Sequence, residues 1–153
     1  MKCNCNGLKQ IEVLLVEDNM DEAELALREL KRHNLANDLL HVHDGEEALE
    51  FIFGTGRYEG RDVLEPPKVI LLDLKMPKVG GIEVLQKIRE DERTRRIPVV
   101  VLTSSSHEKD ITDSYDLGVN SYILKPIDFQ KFSQSIKDIG HYWLVMNKVS
   151  GKN

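Results

Sequence analysis

The apolar positions fall into short continuous runs, separated by longer stretches with helical periodicity. Residues 11–16 (Ile-Glu-Val-Leu-Leu-Val) read as a buried strand. From 20 to 33, Ala23, Leu27 and Leu30 recur near helical spacing with Leu25 and Ala26 beside them, which predicts a helix. Residues 38–43 predict a weaker second strand, and 45–53 a short helix with Ala48, Leu49, Ile52 and Phe53 on one side. Residues 68–72 predict an apolar third strand. Residues 81–90 predict a helix turning Ile82, Leu85 and Ile88 inward. A fourth strand is expected over 98–102, a polar, weakly periodic helix over 107–117, and a fifth strand over 121–124. A long final helix is expected from Asp128, a residue suited to the N-cap.

Strands alternating with helices imply βαβ units and a parallel sheet. Strands that are apolar almost throughout fit a sheet covered on both faces. Five strands and five helices of this kind predict an α/β fold with a doubly wound, five-stranded parallel sheet, for which the flavodoxin-like order 2-1-3-4-5 is a common solution. Two segments exceed a minimal version. Residues 54–67 are long for a helix-to-strand connection, where about 2–6 residues are usual. The Gly54-Thr55-Gly56 within them follows a helix, so it is not a dinucleotide fingerprint; the segment reads as a surface excursion, with contact to a partner as the alternative. The final helix is the other long segment.

Composition narrows the class. A chain of 153 residues is expected to hold one domain, read here as residues 9–149 behind a disordered leader of 1–8, with no output domain after it. A net charge of −5 argues against a dedicated nucleic-acid surface. No apolar run reaches the roughly 18 residues that span a bilayer, and residues 1–10 lack a signal-peptide core, so no membrane association and a cytoplasmic location are expected. Cys3 and Cys5, both in the polar leader, cannot staple a fold and have no other cysteine to complete a metal site.

The chemistry gathers where strands end. Glu17 and Asp18 follow the first strand, Asp73 the third, Thr103 and Ser104 the fourth, and Lys125 the fifth. In a parallel sheet those ends share one edge, where doubly wound folds bind ligands. At about 4.8 Å per strand, the first and third strands bring short carboxylates together directly, while only a long side chain reaches in from the fifth. Three acids facing one lysine call for a cation. Oxygen ligands without His or Cys indicate a hard ion such as Mg²⁺. Metal, Lys125 and the Thr103 hydroxyl could then hold a phosphoryl group, with Asp73 as the nucleophile. Taken singly, an acid at a strand end is commonly a cap or a solvated charge, and Lys125-Pro126 could be merely a turn. Their joint placement argues otherwise.

At this point the chain resembles a response-regulator receiver domain of the two-component systems. The resemblance rests on Leu14-Leu15-Val16-Glu17-Asp18-Asn19, on Leu71-Leu72-Asp73-Leu74-Lys75-Met76-Pro77-Lys78-Val79-Gly80-Gly81, on Val100-Val101-Leu102-Thr103-Ser104 and on Gly118-Val119-Asn120-Ser121-Tyr122-Ile123-Leu124-Lys125-Pro126. It implies that Asp73 accepts a phosphoryl group from a histidine kinase or a phosphotransferase. It also implies that Glu17, Asp18, Asp73 and the backbone carbonyl of Lys75 bind Mg²⁺, with Mn²⁺ able to substitute. Thr103 and Ser104 would meet the phosphate with Lys125, Tyr122 would turn inward as Thr103 moves, and the Lys125-Pro126 bond would be cis. Glu17 departs from the family's frequent Asp by one methylene. Such a protein catalyses only its own phosphorylation and dephosphorylation, and signals through its fourth helix, fifth strand and fifth helix.

The final helix carries Phe129, Phe132, Ile136, Ile139, Trp143 and Met146 at 3-4-3-4-3 spacing, a narrow a/d-type stripe. A helix over 128–149 would be about 33 Å long and overhang strands of about 17–20 Å. Tyr142, Trp143, Val145 and Met146 are therefore candidates for a homodimer or partner interface. The long excursion and the aromatic tail are similar to small receivers that pair with bacterial phytochrome kinases, which implies a kinase of that type as partner. Two rival readings remain. One is a phosphohydrolase using Asp73, against which stands Lys75 where the haloacid-dehalogenase type needs a second Asp. The other is a pseudo-receiver that binds partners without phosphorylation.

Overall fold

The computed structural model describes residues 11–32, 38–76 and 78–125, together with 130, 131, 134 and 138. The elements are β1 (Val13–Val16), α1 (Met20–Arg32), β2 (Leu39–Val42), α2 (Gly45–Phe53), β3 (Val69–Leu72), α3 (Gly81–Glu90), β4 (Val99–Thr103), α4 (Glu108–Asp116) and β5 (Ser121–Leu124). Residues 130, 131, 134 and 138 are helical, which agrees with a helix after β5. The expected leader, the Lys125-Pro126 bond, the Asp128 N-cap, the whole of the apolar stripe and the interface candidates Tyr142, Trp143, Val145 and Met146 lie outside the described residues. Among the described residues, no helix is long and apolar enough to cross a membrane.

The strands form one parallel sheet in the order β2-β1-β3-β4-β5, as the alternation of elements predicts. Side chains alternate across the pleat, and both faces are dry. One face sets Leu14, Val16, Ile70, Leu72, Val99 and Val101 against α2 and α3. The other sets Val13, Leu15, Val69, Leu71, Val100 and Leu102 against α1. Burial on both faces explains the unbroken apolar runs. The helix faces differ in detail from the expected ones. In α1, Ala26 is buried while Leu25 is exposed; in α2, Phe51 is buried beside Ala48 and Ile52; and Val84 joins Leu85 and Ile88 in α3.

The helix ends follow local chemistry. Asp44 caps α2, its side chain accepting from the Glu47 N–H at 2.8 Å, and Gly54 closes the helix in the left-handed conformation at φ 68°. The excursion after Gly54 is fastened to α2. It contains a single 3₁₀ turn, Gly56–Tyr58. The Tyr58 hydroxyl donates to Glu47 at 2.8 Å, and Arg57 Nε donates to Glu50 at 2.8 Å. Arg61 lies 4.0 Å above the Phe51 ring and donates to the Phe51 carbonyl at 2.9 Å. This explains why Phe51, off the expected apolar side, is buried: the excursion covers it.

At the sheet edge where the strands begin, Arg89 from the last turn of α3 spreads over four backbone carbonyls. Nε donates to Leu117 at 2.6 Å, Nη1 to Arg95 at 2.9 Å and Ile97 at 2.8 Å, and Nη2 to Gly118 at 3.1 Å. One side chain thus ties α3, the start of β4 and the turn into β5.

Candidate functional site

Three residues sit one step past their strands, and each keeps a main-chain bond to the neighbouring strand. The Glu17 N–H donates to Val42 at 3.1 Å, the Asp73 N–H to Val16 at 3.1 Å, and the Lys125 N–H to Thr103 at 2.8 Å. Their side chains are therefore aimed by the sheet itself and converge on one edge. The α3 N-terminus closes in on the same place. A Cβ on Gly81 would lie 2.4 Å from the Asp73 carbonyl oxygen and 2.6 Å from Leu74 Cα, so only glycine permits this approach.

Carboxylate oxygens of Glu17, Asp18 and Asp73 lie within 4.8 Å of one another. Glu17 and Asp73 are buried, and Asp18 is exposed. Lys125 Nζ lies 2.7 Å from Glu17 Oε1 and 3.8 Å from Asp73 Oδ2, and it also donates to Glu22 Oε1 from the first turn of α1. Thr103 is fully buried at the end of β4, beside Asp73, whose carboxyl its side chain helps to lower against the effect of burial. The Lys75 N–H approaches Asp73 Oδ1 at 3.4 Å. Around the cluster, Asn19 N–H donates to Glu17 Oε2 at 3.1 Å, and the His41 Nε2 lies 2.7 Å from the Glu17 carbonyl oxygen.

Burial decides the electrostatics. It pushes the Glu17 carboxyl up to about 7, against the Lys125 hydrogen bond, with the charge of Asp73 adding to the rise. Burial also raises Asp73, opposed by the charge of Lys125. Burial works against the Lys125 ammonium, yet its hydrogen bonds to Glu17 and Glu22 hold it above the ordinary lysine value. Three carboxylates, Glu17, Glu22 and Asp73, thus share one ammonium, with Asp18 beside two of them. The donor set is all oxygen, burial disfavours the charge on Glu17 and Asp73, and Asp18 is open to water. Such a set fits a hard divalent cation.

Every expected strand-end residue lies at this edge, but not all point inward. Ser104 is exposed, while Ser105 is buried and bonded to Asp110 in α4. Asp110 also lies 3.4 Å from Lys75 Nζ, so the two loops beside Asp73 are bridged over the site's mouth. Tyr122 is half-buried, and its hydroxyl donates to the Ser105 carbonyl at 2.8 Å. Sequence reasoning missed Glu22 and Asp110. Glu22 had a local explanation, because Asn19-x-x-Glu22 is a capping-box pattern. Asn19 does cap α1, accepting from the Glu22 N–H at 3.0 Å, but the Glu22 carboxylate goes to Lys125 instead of back to Asn19.

The sequence matches the response regulator receiver domain over residues 13–137. It is 39% identical over 142 residues to the probable methanogenesis regulatory protein FilR2 of Methanothrix harundinacea, covering 91% of this chain and 87% of that protein. It is 38% identical over 132 residues to the response regulator Rcp1 of Synechocystis, covering 86% and 88%. The structure of the Mn(2+)-bound form of Rcp1 superposes with a TM-score of 0.72 over 86% of this chain and 93% of that one. The bacteriophytochrome response regulator RtBRR superposes with a TM-score of 0.76 at 46% identity, over 86% and 79%.

Proposed function

The chain belongs to the response regulator receiver domain family, and from that premise we propose that it signals by accepting a phosphoryl group on Asp73 from a phosphohistidine of a sensor histidine kinase or a phosphotransferase. The observation that carries this reading is the buried Asp73 carboxylate beside Glu17, Asp18 and Lys125. An Asp73 oxygen forms the new bond to phosphorus as the P–N bond of the donor breaks. The electron pair of that bond goes to the imidazole nitrogen, which takes up a proton.

Mg²⁺, with Mn²⁺ as a substitute, would be held by Glu17, Asp18, Asp73 and the Lys75 carbonyl, and would neutralise charge on the transferred group. Lys125 offers its ammonium to the phosphoryl oxygens, and Thr103 its hydroxyl, with Ser104 at the rim of the same loop. Phosphorylation replaces one charge at Asp73 by about two and adds three acceptor oxygens. That favours Thr103 drawing inward, and the strand that carries it passes the shift to Ser105. Tyr122 follows, because its hydroxyl is bonded to the Ser105 carbonyl. The signal then leaves through α4, β5 and the helix beyond. On this reading the protein works in the cytoplasm and catalyses only its own phosphorylation and dephosphorylation.

The likeness to RtBRR supports a phytochrome-type kinase as donor. A second copy of the chain is the partner proposed for Tyr142, Trp143, Val145 and Met146; an unchanged sedimentation coefficient after truncation at Ile139, in both phosphorylation states, would remove that idea.

The test is intact mass after incubation with acetyl phosphate, with and without Mg²⁺, for the wild type and Asp73→Asn. A Mg²⁺-dependent gain of one phosphoryl group, lost in the variant, is expected. No gain in the wild type would leave the pseudo-receiver reading in its place.

A further inference from the structure

We propose that Glu22 is a positioning residue of this site: its carboxylate draws the Lys125 ammonium outward, and a phosphoryl group arriving on Asp73 has to take the ammonium from it. The inference rests on the phosphoacceptor reading of Asp73. Lys125 Nζ is 3.8 Å from Asp73 but in direct hydrogen-bond contact with Glu17 and Glu22. An ammonium has three protons, and in this arrangement Asp73 holds the weakest claim on them.

The three acids are not equivalent. Glu17 and Asp73 are almost fully buried, with side chains 4% and 7% exposed, whereas Glu22 is 40% exposed. Glu22 alone can release Lys125 and turn to water without leaving a buried charge unpaired. Nor does its carboxylate cap its own helix. Asn19 caps α1 through the Glu22 backbone N–H, so the carboxylate is spare. Its placement therefore has two opposite electrostatic effects. It adds negative charge where a cation binds, and it competes with a phosphoryl dianion for the nearest ammonium.

The opposite signs make the test selective. Isothermal titration would measure Mg²⁺ alone, and then beryllofluoride as a phosphoryl probe at saturating Mg²⁺, on the full chain. Glu22→Gln keeps the shape and the cap but removes the charge. It is expected to bind beryllofluoride about three- to tenfold tighter and Mg²⁺ about two- to threefold more weakly. Glu22→Asp keeps the charge one methylene short of Lys125. It is expected to match wild-type Mg²⁺ affinity and to fall between the other two for beryllofluoride. A purely structural role would weaken both ligands together in Glu22→Gln; that result, or no change in either affinity, overturns the inference. If wild type binds no beryllofluoride, or Asp73→Asn binds it equally well, the phosphoacceptor reading fails first and takes this one with it.

Discussion

The two edges of the sheet both gather charge partly out of water, and they settle it in opposite ways. Where the strands begin, the Arg89 guanidinium meets four backbone carbonyls at 2.6–3.1 Å. Where they end, Glu17, Glu22 and Asp73 divide one ammonium among them, with Asp18 alongside. The first edge is complete within the chain: fixed dipoles surround a permanent cation. At the second, the acids outnumber the one ammonium. A fold can thus carry a rivet and a socket in the same sheet, and the difference lies in whether the partners of each buried charge are already present.

The comparison predicts its own largest effect at the rivet. Arg89→Met would leave four carbonyls without their donor and is expected to cost about 3–5 kcal/mol in urea unfolding. A loss below about 1 kcal/mol would mean that the guanidinium is not what holds that edge.

The socket should respond to pH. Glu17, raised to about 7 in the folded chain from 4.5, binds a proton there that the unfolded chain has released. The folded state holds more protons between those two values, so metal-free stability falls as pH rises through that window, by roughly 1–3 kcal/mol. Millimolar Mg²⁺ at pH 8 should restore it. A flat profile from pH 5 to pH 8, measured by urea unfolding without metal, would show that Glu17 is not strained.

Asp73→Asn should sharpen the contrast further. Burial raises the Asp73 carboxyl, so removing its charge relieves the metal-free site and is expected to stabilise the chain by about 1 kcal/mol, in the same assay. Destabilisation would place Asp73 with Arg89 among groups kept for folding. The smallest effect belongs to Tyr122→Phe, which loses one hydrogen bond to the Ser105 carbonyl and about 0.5–1 kcal/mol.

Much of this was legible in the chain. The strands announce themselves because both faces are buried, which leaves Val13–Val16, Val69–Leu72 and Val99–Leu102 with no polar interruption. The strand order places Glu17, Asp73, Thr103 and Lys125 together once the sheet is parallel. What stayed hidden depends on partners far away in sequence. Phe51 is buried by an excursion whose anchors, Arg61 and Tyr58, carry no periodicity. Ser105 and Asp110 meet only because the loop after β4 folds back onto α4. Glu22 already had a sufficient local explanation as a cap, and only the arrival of Lys125 gives its carboxylate another use. Local pattern reads elements well, but it cannot read which of two satisfactory partners a side chain will take.

The reach of Lys125 has a bearing on how the protein comes into being. Its contacts with Glu17 and Glu22 join positions 108 and 103 residues apart. β5 pairs only with β4 and is, with β2, one of the two edge strands, the outermost to be added if the sheet grows outward from its centre. Lys125 reaches Glu17, Glu22 and Asp73 only once β5 has paired with β4, so a half-folded copy would hold these acids without the ammonium that partners them.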